Sequence, residues 1–375
     1  MSDDDLPPEP DRLPGAPHPR EAERLYGHHD AEAAFLEAFA SGRLHHAWLI
    51  AGPEGLGKAT LAWRIARFLL ARPADAADGL FGAPEPPTTL DVAPDHPVAR
   101  RVAALSEPRL FLLRRPYDDR GKKLRQEITV DATRRLKEFF ALSSAEGGRR
   151  VVIVDAADEM NRSAANALLK LLEEPPANAT LLLISHSPAR LLPTIRSRCR
   201  TLRLRPLGEG DLTQALRQAG AEAVEGPTAP GLAALSDGSV GAAFQLIEND
   251  GLAYYGELVR LFTGAPGIDR PEAIALAQRP GAEGFPLALH LTEMFLARLA
   301  RAGIAGPPEP EAVPGEATAL ARLAPDPAAA RSWAALAQEA GDRARHGHAV
   351  NLDPAALLLD MFLAMDGAAR QPAPA

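Results

Sequence analysis

The stretch "AWLIAGPEGLGKATLAWRIARFLL", residues 47–70, constrains the fold more than any other part of the chain. Five apolar residues read as a short buried strand, a glycine-rich turn follows, and apolar residues at helical spacing come next, which is the strand, loop, helix order of a phosphate-binding loop. Gly52, Gly55, Gly57 and Lys58 fit the spacing G-x-x-x-x-G-K-[ST] up to its last place, where Ala59 stands instead of a hydroxyl residue. Glycines in such a loop let backbone N–H groups turn in on phosphate oxygens, the helix adds its positive end, and a lysine neutralises the outer phosphates. The missing hydroxyl is one of the few protein ligands that Mg²⁺ takes in such sites. Thr60 does not simply replace it, because the next helical residue is turned by about 100°. The bland alternative is a glycine turn capping a helix, with Lys58 in solvent.

Further short apolar runs suit central parallel strands: "LFLLRR" at 110–115, "RRVVIVD" at 149–155, "TLLLISH" at 180–186 and the shorter "RTLRL" at 200–204. Helical patterns lie between them, so the first half reads as a doubly wound α/β sheet. Asp155 ends one of these runs, where an aspartate at a strand's carboxyl edge can reach a metal through water; the alternative is that it only caps the next helix. Asp158 and Glu159 lie further along, after the chain has left the strand.

The 375 residues are enough for two or three domains. The opening "MSDDDLPPEPDRLPGAPHPR" is acidic and proline-rich, without the basic start and apolar centre of an export signal, and is expected to be a disordered tail over residues 1–20. Residues 72–97 are rich in Pro, Ala and Asp and read as a surface loop. Beyond Pro206 strand signals fade and helical patterns take over, among them "GDLTQALRQAG", "GAAFQLIEND", "FPLALHLTEMFLARLARAG", "RSWAALAQEAGDRARHG" and "DPAALLLDMFLAMDG". The net charge of -8 gives no global attraction for nucleic acid, so DNA contact would need a local patch or a partner chain. The single cysteine, Cys199, rules out an internal disulfide and a cysteine-rich zinc site, and fits a reducing cytoplasm. No apolar run approaches the roughly 20 residues that span a bilayer.

The chain becomes most specific at "NALLKLLEEPPANATLLLISHSPARLLPTIRSRC", residues 166–199. With "GRLHHAWLIAGPEGLGKATLAWRIARFLL" and "VVIVDAADEMNRSAANALLK", it closely resembles the AAA+ subunits of bacterial DNA clamp loaders, over residues 43–205 and, through "SDGSVGAAFQLIE", more weakly to about 248. The resemblance implies an AAA+ α/β domain over 21–205, a small helical lid over 206–250 and an all-α collar over 251–375. It also implies a hetero-pentamer with motor ATPase and delta-type subunits, which opens a sliding clamp and closes it around primed DNA.

In such an assembly each ATP lies between neighbours, and Ser197, Arg198 and Cys199 match the family's S-R-C motif. Arg198 would then be an arginine finger, completing an adjacent subunit's site. A planar, permanently charged guanidinium suits that task. Read without the motif, Arg198 is a surface arginine pairing with a carboxylate, and Arg196, Arg200, Arg203 and Arg205 stand nearby.

Departures from the family pattern point away from turnover by this chain. Ala59 lacks the hydroxyl, Ala156 stands where working members place a glutamate, and Gly241 in "GSVG" replaces a sensor arginine. The degenerate site made of Gly52, Gly55, Gly57, Lys58, Thr60 and Asp155 allows weak ATP or ADP binding without turnover, and no cofactor is required. The family's four-cysteine zinc module has no counterpart in residues 72–97, so neither zinc nor another metal is expected. Ser185 and Ser187 keep hydroxyls at the family's sensor strand, with His186 between them. The competing expectation is a hydrolysing AAA+ motor subunit; a nucleotide-binding regulator or kinase would share only the loop.

The histidine pairs His28 and His29, and His45 and His46, have no accompanying acid or cysteine cluster and are not expected to bind metal. The basic "RRPYDDRGKKLR", with Asp118 and Asp119 interleaved, reads as a solvated loop rather than a DNA contact. Trp333 and Leu357 to Leu359 read as helix cores.

Overall fold

The computed structural model describes residues 9–72, 86–118, 121, 123–142, 148–221 and 228–370. They divide into two compact units, one running to Gly220 and taking in Ser239–Gly241, the other made of the remainder. These limits do not coincide with the expected boundaries at 205 and 250: the lid residues are shared between the units.

The first unit is built on strands β1 (Ala47–Ala51), β2 (Leu110–Arg114), β3 (Tyr117–Asp118), β4 (Lys123–Leu124), β5 (Arg150–Asp155), β6 (Ala179–Ser185) and β7 (Arg200–Arg203). Five of them form one parallel sheet in the order β2-β5-β6-β1-β7. Its helices are α1 (His29–Ala40), α2 (Lys58–Leu70), α3 (Pro97–Ala103), α4 (Val130–Leu142), α5 (Arg162–Glu173), α6 (Pro193–Arg196) and α7 (Glu209–Gln218). β3 and β4 pair antiparallel within the basic stretch read as a loop. Residues 119, 120 and 122 of that stretch, and 73–85 of the expected surface loop, lie outside the described residues.

The central strands β1, β5 and β6 are almost entirely apolar because both faces of the sheet are covered there, while the edge strand β7 keeps Arg200 and Arg203 exposed. Alternation sends Trp48, Ile50, Val151, Ile153, Leu182 and Ile184 to one side, against Phe35, Trp63 and Phe68 of α1 and α2. Leu49, Val152, Val154, Leu181 and Leu183 go to the other, against Leu136, Leu168 and Leu172 of α4 and α5. Asn161 caps α5, its side chain accepting the Ala164 N–H at 2.9 Å.

Residues 9–20 correct an expectation. Composition reads them as part of a disordered tail, yet Ala16 and His18 are buried and the segment is tied down by charge. Glu9 and Asp11 both bind the Arg114 guanidinium at the end of β2, and Arg20 Nη1 donates to Glu9 Oε1 at 2.7 Å. His18 meets Trp63 edge-on, with ring centroids 5.8 Å apart. Residues 1–8 of the expected tail are not among those described.

The second unit is helical: α8 (Thr228–Ser236), α9 (Val240–Glu248) from Ala242 onward, α10 (Gly251–Thr263), α11 (Arg270–Gln278), α12 (Gly281–Ala305), α13 (Glu316–Leu323), α14 (Pro327–Ala349) and α15 (Pro354–Ala369). α12 and α14 pack along one another, and α15 lies against α11 and α14. Trp333, Leu357 and Leu358 are buried as expected, while Leu359 is only half-buried. A buried carboxylate anchors the unit: Glu316 accepts from Tyr255 Oη (2.6 Å), from Arg298 Nε (2.6 Å) and Nη2 (2.8 Å), and from the Ala312 N–H (2.6 Å). Burial alone would depress the Arg298 guanidinium, but Glu316 outweighs it and holds Arg298 charged. Among the described residues no helix is long and apolar enough to cross a membrane.

Candidate functional site

The turn after β1 carries the glycine loop to the carboxyl edge of the sheet. Gly55 and Gly57 have φ of 75° and 86°, conformations that a side chain disfavours, and Gly57 is the residue from which α2 begins. The loop is braced from outside by His28, whose Nε2 meets the Leu56 carbonyl oxygen at 2.8 Å; burial depresses His28, so its neutral ring serves as the N–H donor. Sequence reasoning weighed His28 only as a metal ligand and missed this role.

Lys58 is buried at 3% exposure and its Nζ donates to the Pro53 carbonyl of its own loop. Burial pulls Lys58 down to about 8, against the opposing pull of Asp155, Glu54 and Asp158. Ala59 packs against the apolar layer around Trp63, and Thr60 is half-buried in the first turn of α2. Gly52 leaves the sheet beside β6, its N–H donating to the Ser185 carbonyl at 3.3 Å.

Asp155 closes β5 opposite Arg114 of β2. It caps nothing: the single-turn helix Ala157–Glu159 starts from Ala156 with no side-chain cap. Burial, then Asp11, then Glu159 push Asp155 up to about 7, a level at which much of it keeps its proton near neutrality. The two acids weighed as substitutes for a water-orienting glutamate are otherwise engaged. Asp158 accepts the His186 backbone N–H at 3.0 Å, and Glu159 pairs with Arg115 at 2.9 Å.

The segment after α8 completes the surroundings. Gly241 N–H donates to the Gly55 carbonyl at 3.1 Å, and Ser239 Oγ donates to the Glu54 carbonyl at 3.0 Å. A Cβ on Gly55 would lie 2.3 Å from Ser239 Oγ, so only glycine fits there. The structure therefore brings Gly52, Gly55, Gly57, Lys58 and Asp155 to one edge of the sheet. A metal nucleotide fits them poorly: position 59 offers no oxygen, the lysine is bonded to its own loop, and the nearest acid is held towards its neutral form.

Arg198 lies at the other edge. It falls in the turn between α6 and β7, with its N–H bonded to the Ile195 carbonyl at 3.1 Å, and Ile195 is fully buried. β7 then runs parallel to β1, Arg200 opposite Trp48 and Arg203 opposite Ala51. The strand separates Arg198 from the chain's own glycine loop by on the order of 10 Å or more, at about 3.3 Å per residue. The guanidinium is partly exposed, donating from Nη1 to the Thr194 carbonyl at 3.1 Å and pairing through Nη2 with Glu173 Oε1 at 3.0 Å. The surface ion pair weighed as the plain alternative is thus present, with Glu173 at the end of α5 as its partner. Arg200 instead stands over the Trp48 ring, 5.1 Å from its centroid. Burial pushes the neighbouring Cys199 thiol up to about 12, leaving it protonated.

The remaining histidines singled out also serve the backbone. His45 Nδ1 lies 2.8 Å from the Ala47 carbonyl oxygen, and His46 Nε2 lies 3.1 Å from that of Leu172.

Comparison with known proteins places this geometry. A family model described as "DNA polymerase III, delta subunit" matches residues 27–208. The delta-prime subunit of DNA polymerase III from Pseudomonas aeruginosa is 42% identical over 156 residues, which is 41% of this chain and 41% of that protein. Its counterpart from Escherichia coli is 33% identical over 217 residues, 57% of this chain and 58% of that one. A gamma/tau subunit of DNA polymerase III from Mycobacterium bovis is 30% identical over 174 residues, 46% of this chain and 27% of the relative. The chain thus spans 41% to 58% of the length of these two delta-prime relatives.

Proposed function

We propose that this chain, whose residues 27–208 match the family model described as "DNA polymerase III, delta subunit" and which resembles delta-prime subunits over part of its length, is a clamp-loader subunit that does not hydrolyse ATP itself and supplies Arg198 to ATP held by a neighbouring subunit. It would work in a cytoplasmic hetero-pentamer with motor ATPase and delta-type subunits, which loads the sliding clamp on primed DNA. The observation that carries the reading is the placement of two charges at opposite edges of one sheet. Lys58 is buried and bonded to its own loop, whereas Arg198 is solvent-accessible and remote from that loop. A guanidinium so placed cannot serve its own chain, but it can meet charge developing on phosphates in an adjacent molecule, where such a group contributes about 10³ to 10⁵ in rate.

The chain's own residues support the negative half. Ala59 and Ala156 remove a metal ligand and a water-orienting acid, and Asp158 and Glu159 are engaged elsewhere. The similarity to a gamma/tau subunit favours a second reading, a hydrolysing motor. ATP turnover by the purified chain and by the reconstituted loader separates the two. Little turnover alone, with a loss of at least about tenfold in the loader carrying Arg198→Ala, is expected. Brisk turnover by the chain alone, abolished by Lys58→Ala, would establish the motor reading instead.

A further inference from the structure

Residues 9–13 run between the two parts of the cleft that a nucleotide would have to reach together. At one end Asp11 and Glu9 bind Arg114, which stands beside Asp155 across the β2–β5 pair. At the other, Leu13 Cδ1 comes within 3.3 Å of the point where a Cβ on Gly241 would lie, and Gly241 is hydrogen-bonded to Gly55 of the phosphate loop. Asp11 and Leu13 are two residue steps apart, a reach of about 7 Å in extended chain, so the segment links the end of β2, beside Asp155, to the surroundings of the loop.

The segment is fastened on both sides. Asp11 is 2% exposed and Glu9 17% exposed at the side chain, and His18 Nε2 lies 3.2 Å from Asp11 Oδ2. The Arg20 backbone N–H donates to His18 Nδ1 at 3.0 Å, which leaves the ring's proton on Nε2, facing Asp11. Downstream, Arg67 of α2 donates to the carbonyls of Arg20 (2.5 Å) and Ala22 (2.9 Å), and Arg64 donates to that of Glu23. The helix whose N-terminus would bind phosphate thus holds the segment with its own arginines.

We propose that residues 9–20 are an intramolecular strap that closes this chain's phosphate-loop cleft to nucleotide, with the Glu9 and Asp11 carboxylates occupying Arg114 where a nucleotide would otherwise approach. The strap's acids also repel an incoming polyphosphate from the same side, since like charge in a partly dry cleft is costly. A nucleotide must displace the strap to bind, so its apparent affinity falls by the fraction of molecules in which the strap is open. The proposal rests on the reading above only in taking residues 52–58 as a nucleotide cleft. It does not involve Arg198 or a partner chain.

The test uses the full chain alone and equilibrium binding of Mg-ADP by calorimetry, with hydrogen exchange of residues 9–20 read in parallel. The Glu9→Gln, Asp11→Asn, Leu13→Ala triple variant is expected to exchange faster in the strap and to bind Mg-ADP at least about tenfold more tightly than wild type. Adding Lys58→Ala should abolish that gain. A strap that exchanges freely while affinity stays at the wild-type level overturns the proposal. Should the triple variant unfold, wild-type protein decides: saturating Mg-ADP must accelerate exchange in residues 9–20 or fail to bind. Protection of residues 52–58 by Mg-ADP with the strap unchanged overturns it. Failure of the Arg198→Ala experiment would leave all these outcomes untouched.

Discussion

Two arginine–glutamate pairs in this chain have similar contact distances and opposite consequences. Arg298 meets Glu316 at 2.6 Å with side-chain exposures of 8% and 0%, and Arg198 meets Glu173 at 3.0 Å with 37% and 44%. In the helical unit the pair is dry, and every oxygen of the carboxylate is spoken for by a second donor, Tyr255 or the Ala312 N–H. Breaking it would strand a charge away from water. In the α/β unit the pair is wet, screened and weak, so the guanidinium can leave its carboxylate for another anion at small cost. Burial, rather than distance, separates a charge that fixes a fold from one that is available for chemistry.

The largest effect should come from Glu316→Ala. It leaves Arg298 buried without a counter-charge, and urea unfolding of the chain is expected to show a loss of about 3–5 kcal/mol. A loss below about 1 kcal/mol would break the comparison. Asp155→Asn tests a buried carboxyl for which burial outweighs the Lys58 and Arg114 charges, and its sign is reversed. Asp155 is raised from 3.8 to about 7, so the folded chain holds a proton that the unfolded chain has lost, and wild-type stability falls as pH rises through that range. The variant escapes this. Its advantage over wild type should be absent below about pH 4 and grow to about 2 kcal/mol above pH 7, bounded near 4 kcal/mol by the size of the shift. Smallest is Glu173→Ala, expected to change unfolding free energy by less than about 1 kcal/mol because both partners face water. A larger loss there would mean that Arg198 is locked and not available.

Much of the first unit was legible in the sequence, because local pattern and global fold agree there. The run from Ala47 to Leu70 announces strand, loop and helix, and the apolar strands at 110, 150, 180 and 200 all appear in the sheet. What escaped was carried by pairs far apart in the chain. Nothing in "EPDRLPGAPHPR" reports that Glu9 and Asp11 will meet Arg114, more than a hundred residues on, so proline and charge read there as disorder. Glu316 sits in a proline-rich stretch, and only the fold brings it to Arg298 and Tyr255. At the site, Gly55 and Gly57 were readable because a backbone geometry demands them. The bond between Lys58 and Pro53 was not, since a motif states which residue is present and not where its charge is spent. Likewise the S-R-C motif singled out Arg198 but said nothing of Glu173, which ends a different helix.

The parallel strands give the first unit a front and a back. The glycine loop sits on one and the Arg198 cation projects from the other, so on the proposed function molecules built this way would stand head to tail, each tending the one ahead. Such a contact joins unlike faces and never satisfies itself, so the line ends only where it closes into a ring or meets a member lacking one face. A member whose front is shut needs nobody behind it. That makes it a natural last in line, able to serve while asking for no service in return.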